Sequence, residues 1–155
     1  ASAGNILSGK LLGANKIKDL FVLSKKLTKK ALIVGVIMAF SGLIFYRALG
    51  SLFSSDTEVL KIFYSVFWIV LVMQPLCAVT FVFDGIFKGL GQMETLRNVL
   101  LFSTVLVFIP ALMLGDYLDL KLNGILWAFT LWIISRGFPL IVKFRKQFLP
   151  QIRKH

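Results

Sequence analysis

The sequence predicts an all-α integral membrane protein with four complete transmembrane helices and the end of a preceding one. Three observations carry that prediction. The 155 residues are 57% hydrophobic and only 16% charged, whereas soluble domains are about half apolar and about a quarter charged. The mean hydropathy is +0.84, which is more apolar surface than one small globular core can bury. The apolar residues also fall into four long runs, each close to the roughly 20 helical residues needed to cross a hydrocarbon core about 30 Å thick.

The elements follow in chain order. Residues 1–15 open on the small residues Ala1, Ser2, Ala3 and Gly4. They are too short to span and read as the end of a helix whose beginning lies upstream in a longer protein. Residues 16–30 read as an amphipathic helix, because Leu20, Leu23, Leu27 and Ala31 recur at spacings of three and four while Lys18, Lys25, Lys26, Lys29 and Lys30 occupy other faces. Such a helix is expected along the cytoplasmic interface with its lysines near anionic headgroups. It serves either as a connector that anchors topology or as a lipid or partner site. Transmembrane helices are expected at 31–53, 60–87, 97–115 and 124–143, followed by a cytoplasmic tail at 144–155.

Short connections force the spans to alternate in direction, which sorts the loops into two sets. Residues 10–30, 88–97 and 143–155 hold most of the 18 Lys and Arg. The opposite set, 53–61 and 115–123, holds only Lys61 and Lys121, with Asp56, Glu58, Asp116 and Asp119. This positive-inside asymmetry predicts a cytoplasmic C-terminus. It also gives the net charge of +11 a membrane-surface meaning, so no nucleic-acid partner is expected.

Enzyme chemistry finds no support. The sole histidine is His155, the sole cysteine is Cys77 inside an apolar run, and Gly89-Leu90-Gly91 reads as a turn rather than a nucleotide loop. Charged or helix-breaking residues inside a span carry more information, because lipid makes them costly. Asp84 stands at the inner end of the second span, either as a proton or sodium ligand, or as a carboxylate paired with Lys88 one turn later or bonding loop amides. Arg136 lies about 10 Å deeper than Lys143 on one helix. It either snorkels to the surface or lines a cavity and pairs with an acid. Gln74 adjoins Pro75 near mid-span, and Pro110 lies inside the third span, where each proline removes a backbone hydrogen bond. Phe67, with Trp68, Phe81 and Phe83, offers ring faces to a flat cation, although Phe is also an ordinary lipid-facing residue. The substrate-cavity or gate candidates are therefore Gln74, Phe67, Asp84 and Arg136, and Gly35, Ser41 and Gly42 are candidates for close helix packing.

Four short motifs add what hydropathy cannot. Gly9-Lys10-Leu11-Leu12-Gly13-Ala14-Asn15, Phe53-Ser54-Ser55-Asp56-Thr57-Glu58-Val59, Asp84-Gly85-Ile86-Phe87-Lys88-Gly89-Leu90-Gly91-Gln92 and Asn123-Gly124-Ile125-Leu126-Trp127-Ala128 occur in that order. The ordered set resembles the MATE (multidrug and toxic compound extrusion) transporters, and the third motif is similar to the DNA-damage-inducible-protein-F-like branch. The resemblance implies the C-terminal part of a twelve-helix, two-lobe transporter whose N-terminal lobe is a partner lying outside these residues. It further implies an antiporter in a plasma or bacterial inner membrane, exporting small organic cations or drugs in exchange for H+ or Na+, with no other cofactor. Lys10 and Gln92 stand where the family has Gln and Asp. The span at 60–87 lacks the mid-helix acid of the sodium-type branch, so the coupling acid is expected in the other lobe. A flippase of the same superfamily moving a lipid-linked precursor, or a non-transporting membrane scaffold, are the alternatives.

Overall fold

Each long apolar run forms a helix in the computed structural model. The structure describes residues 1–53 and 56–153, excepting the side chains of Phe53, Ile152 and Arg153. Ser54 and Ser55 of the second motif, and Lys154 and His155 of the tail, lie outside the described residues. Helix α1 is Ser2–Gly13, α2 is Ile17–Phe53 and α3 is Thr57–Gly89. The third span is built from α4 (Met93–Ser103), a π-helical turn (Thr104–Phe108) and α5 (Ile109–Tyr117), and α6 is Lys121–Arg153. Four helical stretches, Ile17–Leu52, Thr57–Gly89, Met93–Tyr117 and Lys121–Gln151, are long and apolar enough to cross a membrane.

The helix ends have local causes. Asp56 caps α3, its carboxylate accepting from the Glu58 N–H at 2.9 Å. The other end of α3 closes in a Schellman arrangement: Gln92 N–H reaches Phe87 C=O at 3.0 Å and Gly91 N–H reaches Lys88 C=O at 3.1 Å, with Gly91 at φ +70°. Asn15 at φ 54° and Asp119 at φ 50° close α1 and α5 through the same pair of bonds. This explains the Asn at the end of the first motif, since Asn tolerates the left-handed region better than most residues.

Two expectations need correction. Residues 16–30 and 31–53 form one continuous helix, not an interfacial helix followed by a separate span. No Gly or Pro interrupts 17–34, so nothing in that stretch breaks the backbone ladder. The apolar stripe runs straight on from Leu20 and Ser24 to Gly35 and Gly50, all buried. At 37 residues and 1.5 Å per residue, α2 is about 55 Å long, and the lysine-rich part is the excess over the hydrocarbon thickness. Likewise α6 does not stop at 143 but continues to Arg153. Phe144 and Phe148 are buried there, so most of the expected tail is packed helix.

Helix α3 is the hub, lying against α1, α2, α4 and α6. The main core collects at one end of the bundle, where Leu20, Phe83, Ile86, Phe87, Leu140, Phe144 and Phe148 are buried together. Phe144 anchors it, with ring centroids 5.8 Å from Phe83 and 4.9 Å from Phe148. That end also gathers the basic termini of α1, α2, α3, α4 and α6, whereas Arg47, Lys61 and Lys121 belong to the other. Between the two ends α2 turns Ile33, Ile37, Phe40 and Ile44 outward, a face suited to lipid.

Close contacts fix the hub. A Cβ on Gly35 would lie 2.7 Å from the Cα of Pro75, so α2 approaches α3 at the proline itself. Further along α3, Gly85 and Gly89 receive α1, and a Cβ at either would overlap the Ala1 or Asn5 carbonyl. This is a Gly-x-x-x-Gly contact of the kind that lets membrane helices pack backbone to backbone. Ser8 seals it, with its hydroxyl 3.1 Å from the Ile86 carbonyl oxygen and 2.5 Å from that of Gly4. Gly89→Ala is therefore expected to destabilise the protein by about 1–3 kcal/mol. Gly13→Ala, where nothing lies within 4 Å, should be close to neutral. Thermal unfolding of the detergent-purified variants compares them, and equal losses would contradict the backbone contact.

Candidate functional site

Thr80 and Asp84 are one turn apart on α3 and therefore share a face. Opposite them, α6 presents Arg136 and Gly137. A Cβ on Gly137 would meet Thr80 Oγ1 at 2.5 Å, so the glycine sets the approach of the two helices. Within that approach the Arg136 guanidinium donates from Nη2 to Asp84 Oδ2 at 2.5 Å. The Asp84 side chain is 5% exposed and that of Arg136 21%. The sequence alternative, Asp84 paired with Lys88, is not what forms. Lys88, one turn on from Asp84, is exposed, and the only ion pair among the described residues is that of Asp84 with Arg136.

The pair extends into a chain of contacts. The Arg136 guanidinium carbon lies 5.5 Å from the centre of the Trp132 ring, within cation–π range. Trp132 Nε1 donates to Thr104 Oγ1 at 3.1 Å, and Thr104 Oγ1 lies 2.8 Å from the Leu100 carbonyl. Thr104 opens the π-helical turn. One buried acid thus links α3, α6 and the irregular point of the third span. Two polar atoms nearby in the fold are left over: Asp84 Oδ1 and Ser103 Oγ are buried without a hydrogen-bond partner. In a low-dielectric surrounding such atoms are costly, and π turns and unmatched polar atoms both occur preferentially at working parts of proteins.

The other two candidates lie elsewhere. Phe67 is about 25 Å from Asp84 along α3, counting 1.5 Å per residue. It sits in an aromatic cluster between α2 and α3, its ring 5.1 Å from Phe63 and 6.2 Å from Tyr46. Gln74 is partly buried with no side-chain hydrogen bond among the described residues. An apolar groove of about 410 Å³ opens beside the Thr80–Gly137 contact, lined by Leu32, Val72, Pro75, Thr80, Gly137 and Phe138 among others. The structure thus brings Asp84 and Arg136 together, and leaves Phe67 and Gln74 apart from them and from each other. Sequence reasoning missed Thr80, Trp132, Thr104 and Gly137. The available signals were a glycine directly beside a charged residue in a span, and an aromatic residue four positions before that charge. No group of three or more His, Cys, Asp or Glu side chains able to share a metal ion occurs among the described residues.

A family model described as MatE matches residues 1–113, more than half of the chain. The chain belongs to the MatE family. No curated protein and no solved structure gives a match. This MatE chain is accordingly a multi-pass membrane transporter of the multidrug and toxic compound extrusion type. The matched stretch carries Asp84 and Thr104, while Trp132 and Arg136 lie beyond it. Removing one partner of a buried ion pair leaves the other charge uncompensated, so Arg136→Ala in this MatE protein is expected to cost about 3–5 kcal/mol. Asp84→Ala combined with Arg136→Ala should cost clearly less than the two single losses added together. Unfolding in graded detergent mixtures measures all three variants, and strictly additive losses would deny the coupling.

Proposed function

We propose that this chain forms the C-terminal part of a two-lobe antiporter that exports organic cations or drugs, driven by H+ or Na+. Support comes above all from the MatE match over residues 1–113. The order of the four motifs adds the C-terminal placement and the DNA-damage-inducible-protein-F-like branch. In such a cycle one lobe moves against the other around a central site, and the coupling ion acts by binding one state more tightly than the other.

The part assigned to this chain is structural switching rather than ion capture. Asp84 and Arg136 join α3 to α6 near the basic end, and that end is taken as cytoplasmic from the charge asymmetry. A pair of this kind can hold the inner ends of the helices together in one state and separate in the other. The flippase alternative draws on several cationic residues in the cavity, and here the partly buried Arg136 is already matched by an acid. The apolar groove beside Pro75 suits the hydrophobic body of a drug better than a charged headgroup.

The test is efflux of a fluorescent organic cation from vesicles holding the complete transporter, with proton and sodium gradients imposed separately. Efflux driven by one gradient is expected, and that gradient names the ion. Absence of movement for several chemically unlike dyes under both gradients would favour the flippase or scaffold. A C-terminal tag should also be cleaved by external protease in inverted vesicles and protected in right-side-out ones. The reverse pattern would overturn the orientation.

A further inference from the structure

At the basic end a cleft runs between the start of α4 and the last turns of α6. It has two adjoining compartments, of about 530 and 480 Å³, which share Thr95, Lys143 and Lys146 as a common wall. We propose that this cleft is a phospholipid site that selects a headgroup of the phosphatidylethanolamine type.

The shared wall suits a phosphate. Lys143 Nζ donates to Thr95 Oγ1 at 2.6 Å, which leaves the threonine hydroxyl proton and the remaining ammonium protons available. The Lys146 ammonium has no hydrogen-bond or ion-pair partner among the described residues. Two cations and a hydroxyl on one wall make short, charge-assisted bonds to phosphate oxygens. The first amides of α4 add to this, since its N-cap residue Gln92 gives no side-chain bond to them.

Beyond the phosphate the cleft also offers a charged acceptor. Glu94 lines one compartment with a carboxylate. In the other, Gln92 Nε2 donates to Gln147 Oε1 at 3.1 Å. A primary ammonium brings three N–H donors and a positive charge to the Glu94 carboxylate. A quaternary ammonium brings the charge alone and can donate no hydrogen bond to that carboxylate, where charge-assisted bonds are the strong ones. The floor of the larger compartment is Val99, Pro139 and Val142, an apolar strip where an acyl chain can lie. Acceptor, lysine wall and apolar floor together supply partners for the ammonium, the phosphate and the acyl chain of such a lipid.

The experiment uses the complete transporter in detergent, titrated with phosphatidylethanolamine, phosphatidylcholine and phosphatidylglycerol of one chain length, with bound lipid read by native mass spectrometry. Phosphatidylethanolamine is expected to bind about tenfold tighter than phosphatidylcholine, a difference worth about 1.4 kcal/mol. Lys143→Ala with Lys146→Ala should abolish the tight binding. Lys29→Ala with Lys30→Ala, which removes the same charge from exposed positions on α2, should leave it unchanged. Glu94→Gln should narrow the preference for phosphatidylethanolamine over phosphatidylcholine. Equal binding of those two lipids by the unaltered protein would overturn the proposal. So would tighter binding of phosphatidylglycerol, or an equal loss from the α2 pair, since either marks a general basic surface.

Discussion

Inside a bilayer, helices gain little from hiding apolar side chains, because lipid tails are as apolar as leucine; packing distance and interhelical hydrogen bonds must hold them together instead. The arrangement around α3 follows from that constraint. Its neighbours reach it at places where one side lacks a side chain: Gly35 against Pro75, α1 against Gly85 and Gly89, and Gly137 against Thr80. Dispersion between two backbones accumulates over many atoms and falls off steeply with a fraction of an ångström of separation. A hub with three such neighbours at different heights has little freedom to tilt toward one without leaving another.

The buried ion pair depends on the same distances. Arg136 can reach Asp84 because Gly137, next along the chain, allows α6 close to Thr80, one turn from the acid. Taken alone, each charge would be an expensive passenger in a span. Brought together, they neutralise one another and mark a register between α3 and α6. That Asp84 Oδ1 remains unmatched means the pair is not fully satisfied. A partly satisfied contact is easier to exchange for another than a complete network.

Much of this was legible from the residues, and the remainder has identifiable causes. Four spans, their order and the collection of positive charge at one end follow from hydropathy and loop composition, which depend on neighbours in sequence. Asp84 and Arg136 stand out individually because lipid penalises charge. Their pairing could not be read, since 52 residues separate them and Lys88 offered a nearer partner. The interfacial helix misled because period and charge identify an amphipathic surface without showing whether the backbone bends after it, and 17–34 contains nothing to bend it. The Gly85 and Gly89 pair was visible as a motif, but its use in receiving α1 is a matter of three-dimensional approach. Phe67 and Gln74 illustrate the opposite difficulty. A ring or an amide in a span looks suggestive in one dimension, and only neighbours show whether it serves packing or something more.

The π-helical turn at Thr104–Phe108, just ahead of Pro110, has a consequence for how this span tolerates change. One surplus residue in a helix rotates everything downstream by about 100°. The turn thereby sets which side of α5 carries Gly115 into contact with Gly124 of α6, while its first residue, Thr104, stays against Trp132. The two halves of the span are thus phased independently, and residue count matters between them more than residue type. Among related chains, drift in side-chain identity between Thr104 and Gly115 would be forgiven far more readily than the gain or loss of a single position.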